Sequence, residues 1–131
     1  MNYTCKVKIA DSEQAKTRVF VIDAMSYTEA EMRITQELEG EGEIVIDSIV
    51  RTKVSDILHS EYHDWYKAKV EIESDGKTFS SIVLIQANTI EKSLEMLLEL
   101  YKDTTLFYSV VKLEKTSIEQ VFEYEEEEVC V

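Results

Sequence analysis

The chain has 131 residues, 44% of them hydrophobic, and a formal net charge of −13. That length suits one domain with a core of its own, and the hydrophobic fraction excludes wholesale disorder. The charge works against non-specific attachment to nucleic acid or an anionic membrane, because its long-range field repels phosphate.

In chain order, residues 3–9 alternate apolar and polar, the mark of a half-buried strand with Tyr3, Cys5, Val7 and Ile9 on its core face and Thr4, Lys6 and Lys8 on the other. Residues 10–17 read as a polar loop, and 18–24 as a β-branched, more buried strand. Ser26 with Glu29 three residues on is a capping box. The helix it opens carries Ala30, Ile34 and Leu38 on one face and ends at Gly40 and Gly42. Residues 43–50 form the next strand, and 52–58 are expected to make a helical turn that drops Val54, Ile57 and Leu58 onto the core.

The order then recurs. Residues 65–72 are a strand, Asp75-Gly76 is a hairpin turn, and 78–87 are a strand whose buried part is Ile82 to Ile85. Asn88 or Thr89 caps a helix with Ile90, Leu94, Leu97, Leu98 and Tyr101 on its core stripe. Residues 106–113 are a strand, and Thr116 with Glu119 reads as a second capping box opening a short turn with Val121 and Phe122.

Laid side by side, Cys5 to Ile9 match Tyr66 to Val70, Val21 to Ala24 match Leu84 to Ala87, and Arg51 to Val54 match Lys115 to Ile118, with Ile57-Leu58 on Val121-Phe122. An internal duplication follows. The expected fold is α+β: two tandem ββαβ repeats forming a largely antiparallel sheet, of about six strands, with the helices packed on one face. The expected organisation is a single domain over 1–124, made of halves 1–60 and 61–124, with an acidic tail at 125–131. Residues 59–64 join the halves without proline or low-complexity sequence.

Catalytic chemistry finds little to work with. Three glycines, Gly40, Gly42 and Gly76, make no phosphate-cradling loop. His59 and His63 stand four apart beside Glu61 and Asp64, but no motif supplies a third ligand, so no metal and no cofactor are expected. No Ser or Cys stands beside an oriented base, and the expectation is a protein without enzymatic activity. Cys5 reads as a core residue and Cys130 as a tail residue, both reduced. No stretch approaches the roughly 20 apolar residues of a membrane span, and the start lacks a basic segment followed by an apolar run, so no membrane association and a cytoplasmic location are expected.

Two surface features remain. Lys6 and Lys8, with Trp65, Lys67 and Lys69, could track a phosphate backbone while a base stacks on the indole. Edge protection by lysine, with Trp65 in the core, is the plainer reading of the same residues. The tail, Glu125, Glu126, Glu127 and Glu128 followed by Val129, Cys130 and Val131, is an acidic run with an apolar tip. Such a run is either a solvated terminus or a partner-binding segment.

Three stretches carry a family likeness: Val21 to Glu31, Asp64 to Val70, and Leu84 to Asn88. On them the chain resembles an uncharacterised domain-of-unknown-function family of Bacteroides-type bacteria, their phages and mobile elements. Val121-Phe122-Glu123-Tyr124 is similar to the family's C-terminal motif, with Glu123 in place of proline, and the acidic residues that follow depart from the pattern. The resemblance spans nearly the whole chain, implies a phage or mobile-element setting, and brings no catalytic residue with it. The function expected is that of a small interaction protein binding another protein, with a single-stranded nucleic-acid accessory protein, its acidic tail regulatory, as the alternative.

Overall fold

The computed structural model describes residues 1–11 and 14–123. Among them the order is β1 (Asn2–Asp11), β2 (Gln14–Asp23), α1 (Tyr27–Glu37), β3 (Glu43–Thr52), β4 (Asp56–Leu58), β5 (Trp65–Ser74), β6 (Lys77–Gln86), α2 (Ile90–Tyr101), β7 (Phe107–Lys115) and β8 (Ile118–Phe122). The chain forms two compact units. One holds Met1–Thr52 and the described residues from Gln120 on; the other holds Lys53–Glu119.

The class is α+β with the duplicated ββαβ order. The strands make two four-stranded sheets, β3-β1-β2-β8 in the first unit and β4-β6-β5-β7 in the second. Two segments expected as helical turns are therefore strands. Thr116 does not cap a helix: its Oγ1 donates to the Trp65 carbonyl at 2.8 Å and accepts from the Ile118 amide at 3.3 Å. This local hydroxyl turn feeds a strand instead. β4 runs parallel to β6, with Ile57 opposite Leu84 and Leu58 opposite Ile85. Parallel pairing of so short a piece holds because Leu58 packs on the second unit's core. In the same way Phe122 packs on the first unit's core and stacks on Phe20 at 5.9 Å. Each short strand thus follows one repeat in the chain and completes the sheet of the other.

The segment expected as a loop at 10–17 is mostly hairpin, since β1 and β2 pair out to Asp11 opposite Gln14. In the second unit the Asp75-Gly76 turn has positive φ at both residues, 51° and 75°, as a two-residue hairpin demands.

The pairing register aligns the repeats. Tyr3 faces Ile22 and Arg51, and Tyr66 faces Ile85 and Lys115. The register shifts between Lys6 and Val7 in one repeat and between Lys69 and Val70 in the other. Tyr3 therefore corresponds to Tyr66, Lys6 to Lys69 and Val7 to Val70. The sequence match of Cys5 with Tyr66 slips by two residues, a slip that leaves every side chain on its own face and so escapes the alternation pattern. The helices agree: Ser26 and Thr89 are the N-caps, each accepting from an amide three residues on at 3.1 Å. Ala30 and Ile34 are buried as Ser93 and Leu97 are. Each helix lies on the face of its own sheet that carries Tyr3, Cys5, Val7 and Ile9, or Tyr66, Ala68, Val70 and Ile72.

Candidate functional site

The two lysine strips, Lys6 with Lys8 and Lys67 with Lys69, lie one in each unit. In the first unit Lys6 is exposed on the face of β1 away from α1, and Lys8 pairs with Asp47 at 3.6 Å. In the second unit Lys69 faces Lys112 across the strands and Lys67 faces Glu114. Glu114 lies 3.4 Å from Lys112. Trp65 is 2% exposed, with His59 edge-on to it at 5.5 Å and its carbonyl held by Thr116. An indole so enclosed offers no face to an incoming base. The tail residues Glu125 to Glu128, Val129 and Val131 lie outside the described residues.

His59 and His63 are both exposed. Among the described residues no group of three or more His, Cys, Asp or Glu side chains converges as metal ligands would. Cys5 is fully buried beneath α1, and burial pushes its thiol up to about 11. Because the folded value lies above the unfolded one, the neutral thiol's contribution is complete below about pH 8.5 and is lost as pH rises through 11, in all about 2–3 kcal/mol. In a Cys130→Ser background, the stability gap between the chain with Cys5 and its Cys5→Ala variant is expected to shrink by that amount between about pH 8 and about pH 11 in urea unfolding. A constant gap would show that the thiolate is tolerated in the core.

The most exposed large hydrophobic side chain of the second unit is one that composition did not single out. Phe107 opens β7 and is 81% exposed. It faces Glu73 across the strands, with Thr78 beyond, and the next row along the sheet is Ser109, Glu71 and Ser80. These residues lie on the face away from α2. Phe107, Glu73, Thr78, Ser109 and Glu71, with Tyr108, line an open cleft of about 280 Å³, and a neighbouring hollow of about 320 Å³ continues over Ser74, Asp75 and Gly76. An aromatic ring beside two carboxylates suits a cationic side chain, which gains both from the ring's π-face and from the acids.

The first repeat supplies a comparison at three of these positions. Glu43 stands where Phe107 does, and Lys8 with Val45 where Glu71 and Ser109 do. The same fold position thus tolerates a charged residue, and Phe107 is not required by the architecture.

The model of the family described as Domain of unknown function (DUF4494) matches residues 1–124. The chain belongs to the DUF4494 family. No curated protein and no solved structure matches it. The DUF4494 match takes in both repeats and both short exchanged strands, so the family's unit is the duplicated arrangement as a whole. No helix among the described residues of this DUF4494 member is long and apolar enough to cross a membrane.

Proposed function

We propose that this chain is a non-enzymatic interaction protein, of phage or mobile-element type, that binds another protein. The observation that carries the reading is Phe107, held open at the head of an acidic cleft where the duplicate repeat has Glu43. Large apolar side chains left in water at a concave site are characteristic of binding hot spots. The net charge of −13 selects a partner with a basic contact surface and speeds its encounter. The enclosure of Trp65 and the engagement of Lys8 by Asp47 weigh against the nucleic-acid alternative.

The test is capture of partners from host cells by the full chain and by Phe107→Glu, which installs the other repeat's residue. A defined protein held by the parent chain and reduced at least tenfold in the variant, about 1.4 kcal/mol or more, is the expected result. Chaperones alone, or the same proteins in equal amounts on both, would overturn the reading.

A further inference from the structure

The two helices are duplicates whose outer flanks have diverged. Counted from the N-caps Ser26 and Thr89, Leu94 corresponds to Glu31 and Leu98 to Thr35. Leu94 is 38% exposed and Leu98 43%, and Ile90 precedes them at the same spacing of four, so the three form one ridge along α2. The core below takes Ser93 and Leu97, which are buried as Ala30 and Ile34 are in α1, with Met96 and Tyr101 partly buried against it. A fold that accepts Glu31 and Thr35 in one repeat does not need leucine at these places in the other. Leucine left in water on a helix whose twin is polar there has its reason outside the fold.

We infer that this flank of α2 docks a basic amphipathic helix of a partner protein. The inference rests on the interaction reading and gives it a second contact surface. A ridge of residues spaced by four is what the groove of another helix accepts. The charge beside it sets the sign of the partner. Over residues 90–103 the acids Glu91, Glu95, Glu99 and Asp103 outnumber Lys92 and Lys102, which are paired with Glu95 at 3.4 Å and Glu99 at 2.5 Å, so the flank stays net negative. A second copy of a chain carrying −13 would bring like charge to this flank, whereas a helix edged with arginine or lysine complements it.

The probe is a synthetic amphipathic helix of leucine and arginine, about 18 residues or five turns long, titrated by fluorescence anisotropy against the full chain, against Leu94→Glu/Leu98→Thr, and against Phe107→Glu. The expected result is saturable binding by the parent chain and by Phe107→Glu, weakened at least tenfold by the double substitution. Because Leu94→Glu adds negative charge, attachment by charge alone would tighten, so a loss isolates the apolar ridge. Equal or tighter binding by the double variant, or no binding by the parent chain, would overturn the inference. So would a parent chain that sediments as a dimer while the double variant is a monomer, since the flank would then belong to a second copy. Loss of partner capture by Phe107→Glu with peptide binding unchanged would leave the α2 surface standing, and the converse would leave the cleft standing.

Discussion

Leu97→Ala is expected to lower the unfolding free energy by about 3–4 kcal/mol, the cost of the lost transfer term and of the cavity left behind. Leu97 is fully buried in the centre of the second unit's core, between α2 and the face of β5 and β6 that carries Tyr66, Ala68, Val70, Val83 and Ile85. Its neighbour Leu98 gives the contrast. At 43% exposed, Leu98→Ala is expected to change stability by less than about 0.5 kcal/mol. Two adjacent leucines of one helix should therefore differ severalfold in urea unfolding. Similar costs at both would mean that the ridge of α2 is part of the core. Ile34, fully buried at the corresponding place in α1, is expected to behave as Leu97 does.

The second large effect concerns β4. A fragment of residues 53–119 carries all four strands of the second sheet, whereas one beginning at 61 lacks the parallel strand beside β6 and the Leu58 that packs on the core. It also lacks the Ser55 amide, which donates to the Ile82 carbonyl at 2.7 Å, and Ser60, whose hydroxyl donates to the Gln86 carbonyl at 2.5 Å. Partial burial of Leu58 and these hydrogen bonds together amount to about 3 kcal/mol. The fragment 53–119 is expected to be the more stable of the two by that amount in circular dichroism melts. Equal stability would show that β4 contributes nothing to the sheet it joins.

The helices were the most legible part of the fold. Ser26 with Glu29, and Thr89 with its apolar spacing, announce the N-termini that the side-chain hydrogen bonds to Glu29 and Lys92 then fix. The strand faces were legible as well, because alternation with period two is a direct record of which side is buried. Register was not. A slip of two residues preserves the faces, so Cys5 and Tyr3 were equally good matches for Tyr66 until the bulges at Lys6/Val7 and Lys69/Val70 decided between them. The short strands were missed because Thr116 with Glu119 satisfies a helix-start pattern while its hydroxyl is engaged elsewhere. No local signal tells Asp56-Ile57-Leu58 that its partner is β6.

The candidate surfaces were hidden for a related reason. Ile90, Leu94, Leu97, Leu98 and Tyr101 read as a single core stripe, since apolar periodicity does not reveal how wide a face the sheet can cover. Leu97 is buried, whereas Ile90, Leu94 and Leu98 are left 44%, 38% and 43% exposed. Phe107 was one more apolar residue in a strand. The signal for both lay in the duplication: once the repeats are in register, Glu31, Thr35 and Glu43 mark the places where the second repeat is apolar without structural need. Trp65 went the other way. An outward alternation position next to lysines suggested an open ring, and the residue is enclosed with His59 against it.

The central claim is that the second repeat's exposed apolar residues serve a partner and not the fold. Its most direct test is a single variant, Leu94→Glu/Leu98→Thr/Phe107→Glu, which carries the first repeat's residues at all three positions, measured for its urea midpoint and for capture of the partner held by the parent chain. The account predicts a midpoint corresponding to a change of less than about 1 kcal/mol together with loss of capture. A variant that unfolds, or one that captures the partner as well as the parent chain does, would contradict it.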